Sequence, residues 1–154
     1  MLLPVIRTSV RGRDKWGSGE FEAPRGRRKH KGIDIVAPVG AEVISVTNGD
    51  VTKIGFPYAQ DPLGQFTNED ERRAFYLKKA MRYVQVTTLL GRRVRYFYVD
   101  PVVDVGDKVY PGETLGTTQD LGKVYPGITP HFHFEVMDDK GVIMNPYTYL
   151  GDLM

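Results

Sequence analysis

Arg27-Arg28-Lys29-His30-Lys31-Gly32-Ile33-Asp34-Ile35-Val36-Ala37-Pro38-Val39-Gly40 is the stretch on which the reading of this chain turns. Gly32 followed by the β-branched Ile33, Ile35 and Val36 predicts a turn entering a strand. Pro38 and Gly40 then end it. Alternation along that strand separates Asp34 from its apolar neighbours and turns the carboxylate away from the core, toward an open side. His30 lies four residues earlier. One imidazole and one carboxylate at this spacing are half of a metal site.

The other half lies about a hundred residues later, in Thr129-Pro130-His131-Phe132-His133-Phe134-Glu135-Val136. Strict alternation is a strand signature: Phe132, Phe134 and Val136 take a buried face and His131, His133 and Glu135 the opposite one. The chain contains three histidines, and all three fall in these two stretches. Packing alone does not account for paired imidazoles on one strand face opposite an apolar row.

The 154 residues fit one domain, 1–154, with room for a real core. A formal charge of +2 is too small for a dedicated nucleic-acid binder. The absence of cysteine excludes disulfides, thiolate zinc sites and cysteine nucleophiles. No run approaches the ~20 apolar residues of a membrane span. Met1-Leu2-Leu3-Pro4-Val5-Ile6 is too short for a signal h-region and meets Arg7 at once. An envelope or extracellular destination would therefore need another export route, release by lysis, or a removed leader.

Between the two motifs the pattern is mainly β. Glu42–Thr47 and Asp50–Gly55 flank Asn48-Gly49, a two-residue hairpin signal. Tyr83–Leu89 and Arg93–Val99 form a second pair about Leu90-Gly91-Arg92. Val105–Gly116 reads as short strands with tight turns, and Asn145–Leu150 as a closing turn with aromatic anchors. Residues 69–81 are predicted helical: Thr67-Asn68 caps, Glu69, Asp70 and Glu71 suit the first turn, and Ala74, Leu77, Ala80 and Met81 make an apolar stripe. This insertion either covers a sheet edge or walls a substrate groove. The run Arg25, Arg27, Arg28, Lys29 and Lys31 is either a solvated approach loop or a cationic neighbour of His30 that draws in an anionic polymer or a substrate carboxylate.

In order, His-x-Gly-x-Asp, Ala-Pro-x-Gly, Asn-Gly, Val-x-x-Gly-Asp-x-Val-x-x-Gly-x-x-x-Gly and His-x-His-x-Glu resemble the lysostaphin and LytM-type zinc endopeptidases of bacterial cell wall. The resemblance runs from about Gly17 to Leu150, with an insertion near 57–82 outside it. It implies an α+β, mainly β fold: a twisted antiparallel sheet, LytM-like and related to the duplicated hybrid motif, with one inserted helix. It implies His30, Asp34 and His133 as zinc ligands and His131 as the catalytic partner. Two imidazoles and a carboxylate suit zinc, and argue against calcium and magnesium, which prefer oxygen shells. Glu135 is either a support for a ligand or an exposed strand residue. A peptidoglycan peptide is the implied substrate, and the protein is expected to act as a monomer, without nucleic acid, at the cell envelope or outside the cell.

One departure stands out. The family's Tyr-x-His-Leu histidine is absent, and Tyr98 stands in its place after a one-residue deletion; it is the candidate to replace that histidine in catalysis. Alternation would put Tyr96 and Tyr98 on one face and Phe97 on the other. The run from Phe97 to His133, with Lys123-Val124-Tyr125-Pro126-Gly127-Ile128, is similar to leukocyte cell-derived chemotaxin, a vertebrate relative regarded as a signalling ligand without peptidase activity. That relative is disulfide-bonded, so a cysteine-free chain points to a bacterial or phage member. The alternative function is thus a catalytically silent, zinc-bearing binding or signalling module.

Overall fold

The computed structural model describes residues 9–58 and 66–152. Twelve short strands dominate, in chain order β1 Pro24–Arg25, β2 Arg28–Lys29, β3 Ile33–Val36, β4 Glu42–Ile44, β5 Gly49–Gly55, β6 Tyr83–Thr87, β7 Arg93–Phe97, β8 Val99–Pro101, β9 Lys108–Val109, β10 Thr114–Thr118, β11 His131–Met137 and β12 Ile143–Met144. Two helices, α1 Glu69–Lys79 and α2 Pro146–Asp152, and a 3-10 turn at Leu121–Lys123 complete the described elements. The large sheet has the order β12-β11-β7-β6-β5-β9, with β3 also paired to β11; a second sheet is β4-β10-β8, and β1 and β2 form a small hairpin. Every pairing is antiparallel. The α+β, mainly β expectation holds.

The core follows from alternation. Val84, Val86, Val94, Tyr96, Phe134 and Val136 turn one face of the large sheet inward, against Val43, Val99 and Leu115 of the second sheet. The opposite face carries Phe97 across from His133, and Arg95 between Glu135 on one side and Gln85 on the other. That face is the floor of the site. His131, His133, Glu135 and Asp34 are nonetheless all buried in it. The cover is the chain before β3, since the Arg11 amide donates to Asp34 O (2.7 Å) and the Asp34 amide to Gly19 O (2.9 Å).

Three expectations need correction. Asn48-Gly49 does not turn a hairpin. β4 pairs with β10, whereas β5 pairs with β6 and β9. Gly49 serves close approach instead, because a Cβ there would strike Thr87 O on β6. The C-terminal stretch is the helix α2 rather than a turn, with Tyr149 and Leu150 in the core. The helix α1 forms as expected, with Asn68 accepting from the Glu71 amide (2.8 Å) and Glu71 accepting in return from the Thr67 amide (3.0 Å). It ends at Lys79 rather than 81, none of its own residues is fully buried, and of the apolar stripe only Met81, just past its end, is buried. The helix reaches inward through Lys78, whose Nζ lies 5.7 Å from the ring centre of Tyr58 and 5.6 Å from that of Tyr125.

Candidate metal centre

Antiparallel pairing of β3 with β11 sets Asp34 directly opposite His133 and Val36 opposite His131. Gly32 permits this approach, since a Cβ there would collide with Phe134 O. His30 arrives from the turn before β3, its amide held by Ala23 O (2.9 Å). Three side-chain atoms then converge. His30 Nε2 lies 3.0 Å from His133 Nδ1 and 3.1 Å from Asp34 Oδ1, and the last two are 2.9 Å apart.

The outer contacts fix which ring nitrogens carry protons. His30 Nδ1 faces Glu20 O at 2.9 Å, so it must donate there, leaving Nε2 with a lone pair. His133 Nε2 donates to Glu135 Oε1 at 2.9 Å, so Nδ1 is the nitrogen turned to Asp34 and is the one that offers a lone pair once its own proton leaves. Two imidazole nitrogens and a carboxylate oxygen thus point into one small triangle. A proton on His133 Nδ1, or a metal cation in its place, satisfies the Asp34 carboxylate there. Donors around a four-coordinate zinc at ~2.0–2.1 Å lie roughly 3.3 Å apart, close to these spacings. Burial works against the charged forms of both Asp34 and His133. Hydrogen bonds outweigh it, holding the Asp34 carboxyl well below the carboxylate range and the His133 imidazole above its ordinary value.

His131 stands beside the triangle and outside it. Its Nδ1 donates to Thr129 O (2.7 Å), so its Nε2 lone pair turns inward, 3.4 Å from Asp34 Oδ2. Burial lowers its pKa, only partly opposed by the Asp34 charge, and the ring is neutral at pH 7. A neutral imidazole with a free inward nitrogen can accept a proton.

Arg11 joins these groups. Its Nε and Nη2 donate to Asp34 Oδ2 (3.1 and 3.0 Å), and its Nη1 meets Asp14 Oδ1 (2.8 Å) and Gly17 O (2.9 Å). Asp14 in turn accepts from the Thr129 amide (3.0 Å), whose carbonyl holds His131. A continuous path of hydrogen bonds therefore runs from Asp34 through Arg11, Asp14 and Thr129 to His131. Burial pushes the Asp14 pKa up, but the Thr129 and Trp16 amides and Arg11 overcome it and bring it from 3.8 to about 2. A carboxylate with a lowered folded pKa stabilises above its unfolded pKa and loses that contribution as pH falls through the folded one. Asp14→Asn should accordingly be less stable than the parent at pH 6, with the difference shrinking between about pH 4 and pH 2; acid unfolding followed by tyrosine fluorescence reads this out.

Tyr98 does not share a face with Tyr96. Tyr96 is buried in the core and its hydroxyl accepts from the Val46 amide (3.1 Å). Tyr98 has φ 67°, which breaks the alternation after β7 and swings its ring to the site side beside Phe97. There it meets His131 edge-on with ring centres 6.0 Å apart, while Phe97 meets His133 at 5.1 Å. Burial pushes the Tyr98 phenol up to about 12, so it keeps its proton at neutral pH. Its hydroxyl lies 3.4 Å from that of Tyr58, which lies 2.6 Å from that of Tyr125.

The structure therefore brings His30, Asp34, His133, His131, Glu135 and Tyr98 into one cleft. Glu135 is a buried partner of His133 and not an exposed strand residue. Sequence reasoning missed Arg11, Asp14, Tyr58 and Tyr125. Arg11 sits in an Arg/Gly-rich segment without periodicity, and only its tertiary partners distinguish it from Arg13.

In this mainly β domain two imidazoles and a carboxylate converge into a group that could hold a metal ion, with a further imidazole alongside. The chain belongs to peptidase family M23, whose model matches residues 28–146. It is 30% identical to leukocyte cell-derived chemotaxin-2 of Mus musculus over 143 residues, covering 92% of this chain and 79% of that protein. It is 28% identical to the peptidoglycan DD-endopeptidase ShyC of Vibrio cholerae over 121 residues, or 79% of this chain and 23% of that protein. Its fold matches the catalytic domain of lysostaphin from Staphylococcus simulans with a TM-score of 0.60 at 20% identity, covering 88% of this chain and 89% of that one. Among the described residues no helix is long and apolar enough to cross a membrane.

Proposed function

We propose that this protein is a zinc-dependent endopeptidase that hydrolyses peptide cross-links of bacterial peptidoglycan, acting as a single-domain monomer at the envelope or outside the cell. The observation that carries this reading is the triangle of His30 Nε2, Asp34 Oδ1 and His133 Nδ1, with His131 Nε2 facing the same cleft. The three donors would hold zinc. Bound zinc polarises a carbonyl and lowers the pKa of water to roughly 7. His131 accepts the proton of the attacking water at Nε2 and can pass it to the departing amine, its ring held by Thr129 O. Tyr98 donates its O–H to the carbonyl oxygen as that atom gains charge. Glu135 orients His133, and Arg11 orients Asp34.

A second reading, a zinc-bearing module without turnover, draws on the similarity to chemotaxin-2 and on Tyr98 standing in place of the family's histidine. Mass spectrometry of muropeptides after incubation with zinc-loaded protein separates the two, with His131→Ala as the blank. New amine termini in the wild-type digest alone are expected. Identical digests across several wall chemotypes would favour the silent module. Tyr98→Phe should keep zinc and fold yet lose roughly 10²-fold or more in turnover, the usual effect of removing one oxyanion donor. An unchanged rate would return Tyr98 to a packing role.

A further inference from the structure

Two cavities meet at the metal triangle, and they differ in character. The smaller, about 270 Å³, is walled mainly by aromatic and aliphatic groups, Trp16, Tyr125, Leu121 and Ile128 among them, with Arg11 and Arg25 as its cations and Arg25 shared with the larger. The larger, about 550 Å³, leaves the triangle along the floor of the large sheet, past His133 toward Glu135. Five cationic side chains line it: Arg25, Arg28, Lys29 and Lys31 from the β1–β2 hairpin and its exit, and Arg95 from β7. Among the described residues Glu135 is its one acidic lining residue, and its Oε1 is already engaged by His133.

Arg95 and Arg25 are fixed, Arg25 through Nη2 to Ser18 O (2.6 Å), but Arg95 alone of the five stands on the sheet floor beside Glu135. Its Nε donates to Gln85 Oε1 (2.8 Å), its guanidinium carbon lies 5.5 Å from the Tyr83 ring centre, and Nη1 stands 3.9 Å from Glu135 Oε2. A guanidinium has five N–H groups in a rigid fork, and one held in this way loses little freedom on meeting a carboxylate. In register it is two residues beyond Phe97, which lies opposite His133. Two residues of extended chain span ~6.8 Å. A peptide whose scissile bond lies at the triangle would present its next residues to this fork.

We propose that the larger cavity is a subsite for an acidic segment of the substrate, in which Arg95 grips a carboxylate about two residues from the scissile bond and the hairpin cations draw it in. Arg27 provides an internal control: it belongs to the same hairpin, is exposed, and does not line the cavity. A merely solvated hairpin would make Arg27 and Arg28 equivalent.

The choice of peptide rests on the peptidase reading, but binding can be measured without turnover. Zinc-loaded His131→Ala protein is titrated by calorimetry with a cross-linked stem-peptide dimer, once with free carboxylates and once with all of them converted to carboxamides. The acid form should bind at least about tenfold more tightly, the size of one charge-assisted contact. That advantage should shrink as salt rises. Arg95→Gln should remove the advantage and leave the amide form unaffected; Arg28→Ser with Lys29→Ser, on the exposed hairpin, should reduce it should Arg95→Gln fail to fold. Arg27→Ser should change nothing. Equal affinities for the two forms, no binding of either, or an equal loss for both in the hairpin variant would overturn the subsite. Cleavage by the wild type without any acid preference would sink this inference alone, whereas acid preference without cleavage would sink the peptidase reading alone.

Discussion

His131→Ala should retain nearly one zinc per chain and lose hydrolysis by roughly 10²–10⁴-fold, the range for a positioned general base. His133→Ala, Asp34→Ala and His30→Ala should each empty the site. The difference follows from where the lone pairs point. The three ligand atoms lie 2.9 to 3.1 Å from one another, whereas His131 is tied at Nδ1 to Thr129 O and approaches only the outer oxygen of Asp34. Elemental analysis of the four purified variants, beside their muropeptide digests, is the measurement. Loss of zinc from His131→Ala as complete as from His133→Ala would undo the separation of ligand from base.

Arg11→Ala should be the most disruptive substitution in the segment before β3. Arg11 is 2% exposed and makes contacts to two carboxylates, one of them nearly as buried. Removing one side of a buried, hydrogen-bonded ion pair costs about 3–5 kcal/mol, because the remaining charge stays desolvated. Asp34 would also lose the two donors that hold its outer oxygen, so zinc affinity should fall by roughly 10–100-fold, as for other partners that orient a metal ligand. Urea unfolding of metal-free protein gives the first quantity, and competition with a chelator gives the second. Wild-type values for both would mean that Asp34 is positioned by its backbone alone.

The convergence of His30, Asp34 and His133 was legible because the residue types able to form such a cluster are few. With three histidines in two patterned stretches, alternation in His131–Val136 and the turn at Gly32 place them correctly. The Tyr83–Val99 hairpin was legible for the same reason, its polar and apolar residues alternating about Gly91. Asn48-Gly49 misled because the glycine answers to a neighbouring strand, a tertiary demand that local turn preference does not register. Asp34 was misjudged as facing an open side, and alternation left Glu135 undecided between supporting a ligand and facing solvent. Alternation says which side a residue takes, but not what later covers that side, and here the cover is an aperiodic segment carrying Arg11. The site residues brought in by loops, Tyr58 and Tyr125, lack any local signal.

Tyr98 has a consequence beyond its hydroxyl. A strand can offer a surface every second side chain, yet here Phe97 and Tyr98 both face the cleft. That doubling requires one residue to leave the β region, and a bulky side chain at positive φ costs of the order of 1–3 kcal/mol. Glycine at this position would relieve the backbone and delete the ring. Stability and the shape of the cleft therefore pull in opposite directions at a single residue, and a screen for thermal tolerance alone would favour discarding the ring that meets His131 edge-on.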